Sequence, residues 1–177
     1  MKDYKNYYES EEYLEKLKKR QNLIKIAGLI SIILIVIYIF PNDILAGQIE
    51  SKKLNEDLTI DLDDGKIVFE NNTYDRLLKL YLAEQEHEIK ICLTGIKQNH
   101  NYIITDLYEP EIISQSFSHV SAEHCNSETI IPLHSHPFKH CIFSQQDIMS
   151  YEKFTEINPD AVAGLMCEPD RFTFYGY

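Results

Sequence analysis

The chain has 177 residues, enough for one domain plus a small appendage, and its formal net charge is −11. The charge is split: residues 1–40 carry 7 Lys/Arg against 5 Asp/Glu, whereas residues 41–177 carry 10 against 23. An acidic body of that kind repels phosphate backbones, so no nucleic-acid partner is expected.

The first element in chain order is a charged N-terminal segment, residues 1–22. Within it, "SEEYLEKLKKR" places acids first and bases last, the order that suits a helix macrodipole. A short helix fading into disorder at Met1 is expected. Residues 23–40, "LIKIAGLISIILIVIYIF", are apolar on every helical face, with Lys25 as the one charge. A helix of that length spans about 27 Å, close to the hydrocarbon core of a bilayer. A buried core helix would show a polar stripe, and "NDILAGQ" is a poor signal-peptidase site. A single transmembrane anchor is therefore expected. Lys16, Lys18, Lys19 and Arg20 precede the span, while Lys52 and Lys53 follow at a distance. The positive-inside rule then puts the N-terminus in the cytoplasm and the acidic body outside.

Residues 41–57 read as a polar linker and residues 58–177 as the folded domain. "LTIDLDDGKIVFE" predicts two short strands around a turn at Asp63-Asp64-Gly65, because Asp-Gly is a strong hairpin signal. "NNTYDRLLKLYLAEQ" predicts a helix with Thr73 as N-cap and an apolar side of Leu77, Leu78, Leu80, Tyr81 and Leu82. Strands follow from Glu88 to Ile96 and over "NYIITDLYEP". "IISQSFSHVSAEHCNSE" reads as a long loop with ragged strand. "TIIPLHSH" is a strand, "SQQDIMSYEKFTEI" a helix from Ser144, and "DAVAGLMCE" and "RFTFYGY" two closing strands. The fold class is mixed α/β, with no dinucleotide fingerprint or P-loop.

The chemistry concentrates in "LHSHPFKHCIFSQQD", Leu133 to Asp147. Residues two apart in a strand face the same way, so His134 and His136 point to one side. Two imidazoles make half of a zinc site. Asp147 is placed to add a carboxylate from the first turn of the next helix, where the dipole favours negative charge. Taken alone, Ser-x-x-Asp is also close to a capping box that needs no metal. A hydrolytic site also needs a base outside the ligand set. Among Glu84, Glu86 and Glu88, Glu88 opens a strand and is the best placed. Ser144 could donate to the oxyanion of a tetrahedral intermediate. His140 sits in the connection without an assigned role.

These residues resemble the JAMM (MPN-plus, JAB) metalloprotease family, whose signature is a Glu, then HxH, seven residues, and SxxD. His134-Ser135-His136, the seven residues Pro137 to Phe143, Ser144 and Asp147 fit that spacing. "EIKICLTG" is similar to the family's E-x-x-G-x-L-x-G at Glu88, Leu93 and Gly95, with Ile91 where a glycine is usual. The resemblance covers residues 58–177. It implies a JAMM/MPN-like (cytidine-deaminase-like) sheet flanked by helices. It also implies Zn²⁺ held by His134, His136 and Asp147, Glu88 as general base and then acid, and Ser144 stabilising the tetrahedral intermediate. The implied substrate is a protein or peptide bond, including isopeptide bonds to ubiquitin-like proteins.

Other readings are weaker. A non-catalytic MPN scaffold at the membrane would have lost ligands that are all present here. The DNA-associated RadC-type branch conflicts with the acidic body. Zinc deaminase and HExxH patterns are absent. His119, His124 and Cys125 lack a matching carboxylate or thiol partner for a second metal site. Cys92, Cys125, Cys141 and Cys167 form no CxxC pair, and buried free thiols are expected; a Cys125–Cys141 disulfide is an alternative if the domain is outside the cell. That location would favour an extracytoplasmic peptide bond over a cytosolic conjugate as substrate.

Overall fold

The described residues of the computed structural model are 11–39, 42–116 and 119–177. The expectation of disorder near Met1, the end of the apolar run at Phe40 and the middle of the expected loop at Phe117 and Ser118 lie outside them.

Two units are distinct, residues 1–42 and 43–177. In the first, helix α1 (Glu11–Ile39) joins the charged segment and the apolar run in one continuous element. It contains one stretch, Tyr13–Tyr38, long and apolar enough to cross a membrane. None of its most apolar window is buried, and its Leu and Ile side chains from Leu23 to Ile37 are exposed around the whole circumference. A core helix of a soluble domain would bury one face.

The second unit is a mixed α/β domain. Its helices are α2 (Asn42–Glu50), α3 (Thr73–Ala83) and α4 (Gln145–Phe154). Eight strands form the main sheet: β1 (Lys52–Lys53), β2 (Thr59–Leu62), β3 (Gly65–Phe69), β4 (Lys90–Gln98), β5 (Asn101–Tyr108), β8 (Thr129–Ser135), β9 (Ala163–Glu168) and β10 (Arg171–Tyr175). Strands β6 (Ile112–Ser116) and β7 (His119–Ala122) pair separately. The sheet order is β1-β10-β9-β8-β4-β5-β3-β2. Only the β3–β5 and β8–β9 pairs are parallel. The sheet nearly closes on itself: Asn55, just after β1, donates its N–H to the carbonyl of Thr59 in β2 at 2.8 Å. Ile60, Ile67, Ile91, Leu93, Ile104, Ile131, Leu133 and Phe172 fill the interior, and α3 adds Leu77 and Tyr81 to it. Each such side chain contributes about 1.5–3 kcal/mol when fully buried. Ile91, which stands at the family's usual glycine, is one of these fully buried residues.

The hairpin at Asp63-Asp64 forms as the sequence predicts, with Leu62 opposite Gly65. Gly65 has φ of 110°, and a Cβ there would strike the His100 carbonyl. Several local expectations need correction. Thr73 is the first helical residue, not the cap: Asn72 precedes it in a left-handed conformation, and the buried Thr73 hydroxyl donates to the Glu70 carbonyl at 2.6 Å. The expected linker 41–57 contains α2 and β1. There Gln48 donates to Glu168 at 3.0 Å and Lys52 lies opposite Phe172 in the sheet. The expected long loop after Tyr108 holds the β6–β7 pair. The cysteines are not free thiols, nor do Cys125 and Cys141 pair. Cys92 bonds to Cys125 and Cys141 to Cys167.

Candidate metal centre

The centre lies where β8 runs out beside β4 and β9. His134 is opposite Lys90 on one side and Leu165 on the other. The alternation of the strand then sends His134 and His136 to one face and Ser135 to the other. Ser135 is buried, and it closes a reciprocal pair with Ile89. Its N–H donates to the Ile89 carbonyl at 3.0 Å, and its Oγ accepts the Ile89 N–H at 3.1 Å. The His136 N–H donates to the Met166 carbonyl at 3.1 Å, which prolongs the strand pairing beyond Ser135. A 3₁₀ turn over Pro137–Lys139 then breaks the strand.

After the connection, Ser144 caps α4. Its Oγ accepts the Asp147 N–H at 3.2 Å, and its own N–H donates to Asp147 Oδ2 at 2.7 Å. This capping box aims the carboxylate. The same Oδ2 lies 3.4 Å from His134 Nε2 and 3.6 Å from His136 Nε2. The two Nε2 atoms are 3.2 Å apart. Three donor atoms therefore stand at the corners of a near-equilateral triangle, and His134, His136 and Asp147 together could hold a metal ion. His136 Nδ1 lies 3.1 Å from the His140 carbonyl oxygen. His140 Nδ1 approaches the same nitrogen at 3.3 Å. A carbonyl only accepts, so the neutral tautomer that satisfies this contact has its proton on Nδ1 and leaves the Nε2 lone pair for a metal.

Glu88 sits just before β4, not within it. Its N–H donates to the Ser116 carbonyl, and Gln115 Nε2 donates to its carbonyl at 2.7 Å. Its Oε1 is 3.6 Å from His136 Nε2. Burial pushes the Glu88 carboxyl above the usual range; His136 and His134 oppose this, and Asp147 adds to it. Burial also pushes Asp147 upward, but the contacts from His134, His136 and Ser144 outweigh it and hold that carboxyl well below the usual range. Two carboxyl groups beside the same imidazoles are thus driven in opposite directions, which suits one to ligation and the other to proton transfer.

The centre opens into a groove of about 960 Å³. One wall is β7 and the other α4, with Gln146 approaching His119 across it at 3.4 Å. Lys90 lies along the floor, where its Nζ donates to the Glu123 carbonyl at 3.0 Å and burial lowers its pKa. His124 and Cys125 also line the groove, but Cys125 is in a disulfide and no second cluster of metal donors forms among the described residues.

Sequence reasoning passed over Ser135, the His140 carbonyl and Lys90. Ser135 carried a usable signal, a small polar residue at an inward position of an apolar strand. The His140 carbonyl carried none, because backbone groups are silent in a sequence. No protein-family model and no curated protein matches the chain.

Proposed function

We propose that this chain is a zinc-dependent metallopeptidase of the JAMM type, anchored to a membrane by the single helix α1, with its hydrolytic domain outside the cytoplasm. The donor triangle carries this reading. A tetrahedral zinc with ligands at 2.0–2.1 Å has ligand–ligand edges of about 3.3–3.4 Å. An octahedral ion such as Mg²⁺ at similar bond lengths needs edges of about 3.0 Å. The edges of 3.2, 3.4 and 3.6 Å lie around the tetrahedral value, and two imidazole donors suit zinc better than magnesium. Two imidazoles and one carboxylate also leave a fourth position open, as hydrolytic zinc requires.

A bound Zn²⁺ would polarise the scissile carbonyl and bring the pKa of water to near 7. Glu88, beside the ligands but outside their triangle, would take the proton of the attacking water and return it to the departing amine. Its burial favours the protonated form between those two transfers. Ser144 Oγ accepts the Asp147 N–H, which leaves its own O–H free to donate to the oxyanion. The groove would hold a peptide or isopeptide substrate, including the tail of a ubiquitin-like protein, along the β7 wall.

Two observations support the outside location. Four bases, Lys16, Lys18, Lys19 and Arg20, flank the apolar run closely on its N-terminal side, against Lys52 and Lys53 at a distance beyond it. The two disulfides suit an oxidising compartment.

The test uses the full chain in detergent. Zinc content and peptide hydrolysis are measured for the wild type and for Glu88→Gln. One zinc per chain in both proteins, with turnover lost in the variant, is expected. A wild type that takes up no zinc would instead favour a non-catalytic scaffold, and an unaffected Glu88→Gln would remove Glu88 from the scheme.

A further inference from the structure

The connection between His136 and Ser144 is the one piece of the centre without regular structure beyond a single 3₁₀ turn. It must nonetheless hold a backbone oxygen in place, because the His140 carbonyl lies 3.1 Å from His136 Nδ1, a nitrogen that His140 Nδ1 also approaches at 3.3 Å. An imidazole ligand depends on such a bond for its tautomer and its ring orientation. The peptide group that carries this oxygen joins His140 to Cys141.

Cys141 is fully buried and fixed from three directions. Its sulfur is bonded to Cys167 in β9. Its carbonyl accepts the buried Thr173 hydroxyl of β10 at 2.7 Å. Gly47 of α2 lies so close that a Cβ there would come 3.1–3.2 Å from the Cys141 backbone and Cβ. Two residues earlier, Lys139 has a φ of 60°. A lysine holds this left-handed conformation only where its surroundings enforce it. Cys92–Cys125 is different. It joins β4 to the segment after β7 and packs in a separate cluster with Phe154 and Ala161.

We propose that the Cys141–Cys167 disulfide is a positioning element of the metal centre: it fixes the His140 carbonyl that orients His136, and metal affinity depends on it. The inference rests on the metal reading of the site and extends it to a pair of residues outside the ligand set. Losing an orienting partner of a ligand histidine weakens metal binding by about 10–100-fold.

The experiment titrates Co²⁺ into the full chain in detergent and follows the visible absorption of the bound ion, which reports both affinity and coordination geometry. Cys141→Ala/Cys167→Ala is compared with Cys92→Ala/Cys125→Ala, with circular dichroism to confirm the fold. The expected result is a loss of about tenfold or more, with an altered spectrum, in the first pair and a change within about twofold in the second. Equal affinity in both pairs and the wild type overturns the proposal and leaves the metal centre standing. A wild type that binds no Co²⁺ overturns the metal centre itself, and the proposal with it. Should the first pair fail to fold, Thr173→Val decides, because it keeps the disulfide and removes the bond to the Cys141 carbonyl. Weakening by about threefold or more supports the proposal, and unchanged affinity overturns it.

Discussion

Ser135 and Ile89 exchange two hydrogen bonds, N–H to carbonyl at 3.0 Å and N–H to Oγ at 3.1 Å. Ser135 lies between the two histidines and Ile89 directly follows Glu88. The pair therefore ties the proposed base to the proposed ligands. Ser135→Ala leaves the Ile89 N–H without its partner in a buried place, at a cost of about 1–3 kcal/mol. Chemical denaturation measures that loss. In the folded fraction, turnover should fall further than zinc content, because Glu88 is displaced while the histidines remain.

Asp147 caps α4 and is a proposed ligand, and two substitutions separate the roles. Asparagine keeps an oxygen that can accept the Ser144 N–H but loses the charge that the surrounding contacts stabilise, so Asp147→Asn should lower the melting temperature at neutral pH less than Asp147→Ala does. Alanine removes that acceptor and costs about 1 kcal/mol. Both remove the anionic donor. Isothermal titration should show both variants losing zinc affinity by orders of magnitude, with Asp147→Ala the less stable of the two when metal-free.

Glu88 gives a signed pH dependence in the chelator-treated chain. Its folded pKa is raised, first of all by burial. The unfolded state therefore ionises more readily than the native one as pH rises between the two values. The native state loses stability across that window and stays penalised above it. Glu88→Gln should raise the melting temperature at neutral pH. The gain should vanish in acid below the unfolded value of about 4.3, where both states are protonated. Melting curves of the two proteins at pH 7 and pH 4 check this.

None of the four cysteines is free. An alkylating reagent should add no mass to the denatured, unreduced chain and four adducts after reduction. Each disulfide closes a loop of moderate size, 33 and 26 residues in separation. Removing either should cost about 3–4 kcal/mol. Equal stability losses would set off any difference between the two in metal affinity.

The part of the centre that could be seen in the sequence rests on short-range geometry. His134 and His136 share a face because a strand alternates, and Asp147 points back because Ser144 caps a helix. Both rules act over a few residues. The Asp63-Asp64-Gly65 hairpin was legible for the same reason. The rest is tertiary. Cys92 and Cys125 meet because β4 passes beside the segment following β7, and no spacing encodes that. Helix α2 looked like linker because nine residues with a central glycine make a poor isolated helix. It forms against Cys141 and Glu168, distant partners that a local pattern does not contain.

The pairing of β1 with β10 has a consequence for the order of events at the ribosome. Ser51 receives a hydrogen bond from Arg171, 120 residues further on. The apolar run of α1 leaves the ribosome long before β10 exists, and can enter a bilayer while the sheet still lacks its last strands. The strand nearest α1 in sequence must wait, unpaired, for the one made last among those described. Closure of the sheet is therefore a late, non-local step, of the kind that slows folding and exposes strand edges in the meantime. Chains stalled before Arg171 should remain sensitive to protease in the domain, although α1 has already been made.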